Sequence, residues 1–262
     1  MAIPMASARA AVAEFEPWQE AEVKTKSPYG LPITDNCQSC RMPRNDLLCG
    51  VSTASMRALD RIKHASSYPG GALIFMEGET PRGVYILCQG RAKVLTTNSE
   101  GRTLILKIAQ PGEILGLNSV LAGRPQEFTV ETWQPSQLAF ISREDFLAFI
   151  REYGDACLRV AQHLGRDCHT AYDFIRSIGL SDSASEKLAR FLLEWSGGGQ
   201  ERDGMVRVKL ALTHEEMAQL ISCSRETVSR TLSDFKKKGV LELTGSTMVI
   251  RNKRALEGLA NA

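Results

Sequence analysis

The chain has 262 residues, with 32 Lys+Arg against 30 Asp+Glu, 43% hydrophobic and 24% charged residues. That is the make-up of a soluble globular protein long enough for two domains. No apolar run approaches the ~20 residues of a membrane span, and the charged opening stretch lacks the core of a signal peptide, so a cytoplasmic, non-membrane protein is expected.

Residues 1–36 contain Pro4, Pro17, Pro28 and Pro32 with no sustained hydrophobic period, and read as a loose N-terminal arm. Residues 37–49 carry three of the seven cysteines. An odd cysteine count in a reducing compartment argues against a disulfide framework and leaves metal binding, redox chemistry or burial.

Residues 68–142 read as β structure. Short apolar runs are broken by Pro69-Gly70-Gly71, Glu77-Gly78-Glu79, Pro81-Arg82-Gly83, Gln89-Gly90 and Glu100-Gly101. Val84–Cys88 and Thr103–Ile108 are strand candidates, and this spacing suggests a sandwich or barrel. No α/β alternation appears, which argues against a Rossmann or nucleotide-hydrolysing fold.

From Arg143 the period changes. Phe146, Phe149, Ile150, Tyr153, Cys157, Val160, Ala161, Leu164, Ala171, Phe174, Ile175 and Ile178 recur mostly at three- and four-residue steps, the mark of a helical stripe. A break is expected near Gly154. A stripe this long projects beyond a small barrel and needs a partner, most simply a second copy of itself. Two helices packed on their own barrel are the alternative. Cys157, Cys168 and Cys223 then read as packing residues.

Ser183 N-caps a further helix through Ser196, with Glu186 at the capping-box position. Gly197-Gly198-Gly199 and Gln200–Gly204 read as a flexible loop. Next, Thr213 caps a helix with Glu216 three residues on, and Ser222-Cys223 makes a short break. Ser224 then caps a second helix whose inward face is Val228, Leu232 and Phe235. Two short strands follow, Val240–Leu243 and Met248–Ile250, joined at Thr244-Gly245-Ser246. Helix-turn-helix plus hairpin is a winged helix.

The second helix places Arg225, Glu226, Ser229 and Arg230 on one face near its N-terminus, the end that enters a major groove. Arginine pairs with guanine O6 and N7, and glutamate accepts from cytosine. Lys236, Lys237 and Lys238 suit phosphate contacts. The charge distribution agrees: residues 200–262 hold 11 Lys+Arg against 8 Asp+Glu, while the rest of the chain is slightly acidic. Glu226 and Arg230 also have the spacing of an ordinary helical ion pair. No Ser/His/Asp, paired-carboxylate or phosphate-loop constellation is visible, so no enzyme is expected. His64, His163, His169 and His214 show no ligand spacing, and His214 reads as facing phosphate or solvent.

The segment Ile221–Arg230, ISCSRETVSR, resembles the recognition segment of the CRP/FNR superfamily of bacterial transcription regulators. The β segment, Pro111-Gly112-Glu113-Ile114-Leu115-Gly116 and the long helix are similar in kind and order, over about residues 37–255. The resemblance implies an α+β chain: a cyclic-nucleotide-binding-type β jelly roll over 37–142, a dimerisation helix over 143–180 and a winged helix-turn-helix over 181–262. It implies a homodimer on a palindromic double-stranded DNA operator, working with RNA polymerase. The DNA-facing set it implies is Thr213, Ser224, Arg225, Glu226, Thr227, Ser229, Arg230 and Lys236, with Arg225, Glu226 and Arg230 reading bases. Ser222 stands where a glycine is usual in the turn, and is strained if its φ is positive.

Members of the family that bind cyclic AMP use a Gly-Glu pair for the ribose and an Arg-Ser pair for the cyclic phosphate. Aligned on Gly116, the ribose glutamate falls on Leu117 and the Arg-Ser pair on Glu127-Phe128. An acidic and an aromatic residue repel or block a phosphate, so cyclic AMP is not the expected effector. Glu113 and Arg124 are the effector-pocket candidates. Cys37-x2-Cys40-x8-Cys49 resembles the amino-terminal cysteine group of FNR-type oxygen sensors. This implies an iron–sulfur cluster on Cys37, Cys40 and Cys49. The family's fourth position reads Ala139, and Cys88 is the other nearby candidate. A redox thiol pair or a zinc half-site remain open readings of the same cysteines.

Overall fold

The computed structural model describes residues 27–31, 33, 36, 37, 40, 47–179, 183–197, 199–202 and 205–260. Most of the expected N-terminal arm lies outside the described residues.

A short 3-10 turn, Leu47–Gly50, leads into helix α1, Thr53–Ile62. Ser52 caps α1 by accepting from the Ser55 N–H. Eight strands follow: β1 His64–Tyr68, β2 Leu73–Phe75, β3 Gly83–Gln89, β4 Ala92–Thr97, β5 Thr103–Ala109, β6 Ile114–Leu115, β7 Thr129–Thr132 and β8 Ser136–Ser142. A helix of one and a half turns, α2 Leu117–Ala122, sits between β6 and β7. The strands form two antiparallel four-stranded sheets, β1-β8-β3-β6 and β2-β7-β4-β5. This is the double sheet of a jelly roll.

The two-residue period of a strand sorts its side chains between two cores. On β3, Leu87 faces the interior shared with Phe75, Val94, Val130 and Leu138. Val84 and Ile86 face the opposite way, with Ala139 and Ile141 of β8, onto Leu59, Phe146 and Phe149 of the flanking helices. Gly83 is needed for close approach, because a Cβ there would collide with the Ile141 carbonyl oxygen of the paired strand.

The long helical stripe is two helices, α3 Arg143–Glu152 and α4 Gly154–Gly179, with Tyr153 extended between them. The expected break at Gly154 is therefore present. Phe146 and Phe149 of α3 and Ala156 and Val160 of α4 are buried against the barrel. Leu158, Tyr172 and Ile175 of α4 are about 60% exposed. Cys157 and Cys168 are exposed as well, which corrects their reading as packing residues. The stripe is wider than the barrel covers, so one side of it packs and the other faces outward.

Helix α5, Ala184–Ser196, carries the expected capping box of Ser183 and Glu186. Within the Gln200–Gly204 segment read as a loop, Gln200–Arg202 forms strand β9, paired with β10 Met205–Lys209, a strand not expected from the sequence. Met205-Val206-Arg207-Val208-Lys209 alternates in the period of a strand, and Val206 is buried. Then come α6 His214–Leu220, α7 Arg225–Lys237, β11 Leu241–Thr244, β12 Thr247–Ile250 and α8 Lys253–Ala260. The wing is thus a four-stranded sheet, β11-β12-β10-β9, rather than a lone hairpin. Its core gathers Leu188, Leu192, Met217, Val228, Phe235 and Ile250. No helix among the described residues is long and apolar enough to cross a membrane.

Candidate nucleic-acid interface and effector cavity

Local hydrogen bonds set the helix-turn-helix. Thr213 Oγ1 accepts from the Glu216 N–H at 3.1 Å, and the Glu216 carboxylate accepts from the Thr213 N–H at 2.9 Å. Ser224 Oγ accepts from the Thr227 N–H at 3.2 Å, which starts α7. The turn between them passes through Ser222 at φ 55°, the one positive-φ non-glycine among the described residues. A side chain in the left-handed region costs about 1–3 kcal/mol, part of which glycine returns through its freer unfolded state. Ser222 is exposed. Ser222→Gly is therefore expected to raise stability by about 1 kcal/mol in denaturant unfolding without changing DNA preference. A lower midpoint would contradict a strained turn.

Arg225, Glu226, Arg230 and Lys236 are exposed on α7, and Thr227 is half-buried. Val228, Leu232 and Phe235 are buried on the opposite face. No ion pair forms between Glu226 and Arg230 among the described residues, so that face stays available to bases. Lys237 and Lys238 are also exposed, at the far end of α7. Ser229 differs from expectation. Its Oγ lies 2.8 Å from Nδ1 of His214, the first residue of α6. His214 is thus turned onto the recognition helix rather than toward solvent, and Ser229 helps to set the angle between α6 and α7. Thr213, though exposed, is occupied as the cap of α6.

The winged helix is docked on the barrel. Lys93 of β4 donates to Glu216 at 2.8 Å, with both side chains about 15% exposed. The Arg91 guanidinium lies 5.7 Å from the Trp133 ring and 5.5 Å from the Trp195 ring, and the two indoles meet edge-on at 5.8 Å. Burial pushes the Glu216 carboxyl up, but the Lys93 and Thr213 hydrogen bonds outweigh it and hold it below the ordinary carboxylate range. A depressed carboxyl contributes stability above its unfolded value, which is lost as pH falls through the folded one. Docking is therefore expected to loosen below about pH 4.5, the unfolded range for glutamate. Glu216→Gln should flatten that acid dependence when tryptophan fluorescence is followed against pH, and an unchanged profile would contradict this role.

A cavity of about 580 Å³ opens between the β2-β7-β4-β5 sheet and α4. Leu117, Glu127 and Phe128, the positions aligned with the cyclic-nucleotide cassette, all line it. Arg124 is exposed and outside the lining, donating its backbone N–H to the Ser119 carbonyl. Glu113 accepts from Lys107 Nζ at 2.6 Å, and Asp167 of α4 accepts from the same ammonium at 3.0 Å. His163 is 2% exposed; its Nε2–H donates to the Ile114 carbonyl at 3.3 Å. Burial lowers its proton affinity more than Asp167 raises it. This ionic clamp joins barrel to α4 and was not read from sequence. The i, i+4 spacing of His163 and Asp167 was the one available signal.

Cys37, Cys40, Cys49 and Cys88 are half-buried and form no disulfide among the described residues. The Cys88 thiol is pushed up to about 12, first by burial, with Lys63, Cys37, Cys49 and Cys40 supplying the charges around it. Cys37 and Cys88 pack against the same core cluster beneath β3. Cys88 follows Leu87, which pairs with Leu138 next to Ala139, so it stands one strand away from the family's fourth position. Cys37 is engaged otherwise: Lys63 Nζ lies 2.8 Å from its Sγ, and Asp60 accepts from both the Cys37 N–H and Lys63. Among the described residues, no three His, Cys, Asp or Glu side chains come together closely enough to hold a metal.

The model of the cyclic nucleotide-binding domain matches residues 65–153, and that of the Crp-like helix-turn-helix domain matches residues 186–259. A Mycobacterium tuberculosis CRP-like cAMP-activated global transcriptional regulator is 25% identical over 215 residues, 82% of this chain and 96% of its own. A cyclic AMP receptor protein of Thermus thermophilus is 29% identical over 193 residues, 74% of this chain and 86% of its own. Among solved structures, FixK2 of Bradyrhizobium japonicum shares the fold with a TM-score of 0.66 at 24% identity, covering 77% of this chain and 98% of its own. A nucleotide-type jelly roll joined through α3 and α4 to a Crp-like winged helix, in the same order and over nearly the full length of such regulators, places this chain in the CRP/FNR superfamily of DNA-binding transcription regulators.

Proposed function

We propose that this chain acts as a cytoplasmic homodimer that reads a palindromic operator with α7, and that an effector other than cyclic AMP, bound in the barrel cavity, sets its activity. The observation that carries it is the exposed Arg225–Glu226–Arg230 face at the capped start of α7. The exposed apolar side of α4, Leu158, Tyr172 and Ile175, supports the second copy. An effector touching both barrel and α4 changes how the two α4 helices pack. That in turn sets the spacing of two recognition helices that must meet half-sites about 34 Å apart. RNA polymerase is the partner that turns occupancy into transcription, and the reading assigns the chain no catalytic step. The test is the number of chains on a cognate duplex, measured by light scattering. Two chains fit the reading, and a single chain bound with full affinity overturns it.

The second reading is an oxygen or redox sensor using Cys37, Cys40, Cys49 and Cys88. It is favoured by the packing of Cys37 and Cys88 against one core cluster. The donor set matches a cluster in kind. The distances do not, because Cys37 is held by Lys63 and no three donors converge among the described residues. Protein purified without oxygen decides the matter. Bound iron with a visible sulfur-to-iron absorbance supports the reading, and colourless, iron-free protein overturns it.

A further inference from the structure

The chemistry of the cavity specifies its occupant more narrowly than the family does. Its barrel wall is Phe75, Val94, Leu106, Leu115, Phe128 and Val130, and its α4 wall includes Leu164, Ala171 and Ile175. The polar part of the lining is small. A volume of about 580 Å³ falls within the ~300–1,000 Å³ range of small-molecule sites.

The charges that the described side chains place around it oppose an anion. Among the described side chains of the lining Lys107 is the cation, and Glu113 and Asp167 already share its ammonium at 2.6 and 3.0 Å. Glu127 adds a third carboxylate to the rim. A phosphate would have to displace a carboxylate from Lys107 while facing the others, which like-charge repulsion opposes. Nor do these carboxylates call for a ligand cation, because the Lys107 ammonium satisfies two of them and the third is exposed.

Two buried polar residues of the lining, Ser119 and Gln126, make no side-chain hydrogen bond among the described residues, and Gln126 is the longer-reaching of them. Gln126 is 5% exposed. Its backbone is satisfied, with the N–H donating to the Glu79 carbonyl and the carbonyl accepting from the Gly78 N–H, both at 2.8 Å. Its carboxamide points to Gly116, where an added Cβ would lie 3.1 Å from Nε2 and 3.4 Å from Oε1. That carboxamide has no hydrogen-bond partner among the described residues, and both Gly116 and Gln126 line the cavity. A carboxamide that opens onto a cavity and makes no hydrogen bond within the chain is free to bond a ligand seated there. Gly116, at φ 77°, has no Cβ to crowd that carboxamide.

We propose that this cavity binds a neutral, largely apolar small molecule carrying one hydrogen-bonding group for the Gln126 carboxamide. The molecule packs between Leu106 and Phe128 on the barrel and Ala171 on α4, so it bridges the sensor domain and the long helix. The assignment of this molecule as the regulatory effector rests on the homodimer reading above; the binding itself does not.

The probe is N-phenyl-1-naphthylamine, a neutral aromatic with one N–H whose fluorescence rises in apolar sites, titrated into the full-length protein without DNA. The expected result is saturable binding of one probe per chain, with no displacement by cyclic AMP. Leu106→Glu and Ala171→Glu each put a carboxylate into the apolar wall and should weaken the probe at least about tenfold. Ala171 is exposed on its helix, so that variant keeps the fold even if Leu106→Glu does not. Gln126→Leu should weaken the probe by about fivefold through the lost hydrogen bond. Leu73→Ser, an exposed apolar residue outside the cavity, should leave it unchanged. Unsaturable binding, equal binding by the Ala171→Glu variant, displacement by cyclic AMP, or more than about tenfold preference for the cationic analogue 1-naphthylmethylamine would each overturn the proposal. Probe binding with no change in operator affinity would instead remove the regulatory reading and leave the site standing.

Discussion

Arg225→Ala is expected to erase the preference of the protein for its operator over random DNA. A bidentate arginine–guanine contact is worth ~1–3 kcal/mol, and a dimer makes it twice, so specific affinity should fall by about 30-fold or more. Binding to random duplex should change little, because Lys236, Lys237 and Lys238 still meet phosphate. Lys236→Ala gives the complementary result: weaker binding to every sequence, with the salt slope reduced by about one per half-site. Arg225 is exposed at the first position of α7 and makes no intramolecular hydrogen bond or ion pair among the described residues, so its removal leaves the fold intact. Equal losses on operator and random DNA would remove base reading by this residue.

Leu158→Glu combined with Tyr172→Glu is expected to have the next largest effect. Both side chains lie about 60% exposed on α4, and neither belongs to a core cluster of the chain. In a homodimer they become buried against the second copy. Four carboxylates there, two from each chain, repel and cannot be desolvated. The particle should then have the mass of one 28.8 kDa chain instead of two. Operator affinity should fall by about 10²–10⁴, the usual gain from joining two binding modules. The thermal midpoint should lose its dependence on protein concentration, because association no longer adds to stability, while nothing in the chain's own core is lost. A variant that still sediments as a dimer would assign the exposed stripe another use.

What could be read in the sequence is what is local. Ser183 with Glu186, Thr213 with Glu216, and Ser224 before Arg225 are caps whose partners lie within three residues, and all are formed. The strain at Ser222 was legible only through the family resemblance, which puts a glycine at that turn, and its φ of 55° bears it out. The break at Gly154 follows from helix propensity alone. What escaped depends on distance in the chain. Ser229 looks like a purely DNA-facing side chain until His214, fifteen positions earlier, closes on it at 2.8 Å. The Lys107–Glu113–Asp167 clamp joins β5 to a helix sixty residues later. β9 and β10 were hidden behind Gly197-Gly198-Gly199, because three glycines outweigh a five-residue alternation until the wing sheet supplies a neighbour. The outward turn of Cys157 and Cys168 follows from which side of α4 the barrel covers, and no periodicity specifies that.

The candidate effector site shows the same division. The absence of the phosphate cassette at Leu117 and Glu127-Phe128 was legible, and those residues do line the cavity. Arg124 was a reasonable substitute by proximity in sequence, but α2 and its Gly123 cap carry it to the surface. Gln126, two residues further on, is carried inward instead. The difference lies in the β-type hydrogen bonds that Gln126 makes with Gly78 and Glu79, which anchor its backbone and turn its amide toward Gly116.

The measurement that bears most directly on the central claim is selection of binding sites from a pool of random duplexes. A homodimeric winged-helix regulator should enrich an inverted repeat whose half-sites lie one helical turn apart, about 10 base pairs centre to centre. The enriched guanines should lose their weight when the selection is repeated with Arg225→Ala. Enrichment of a single unrepeated half-site, or of no sequence at all, would contradict the account.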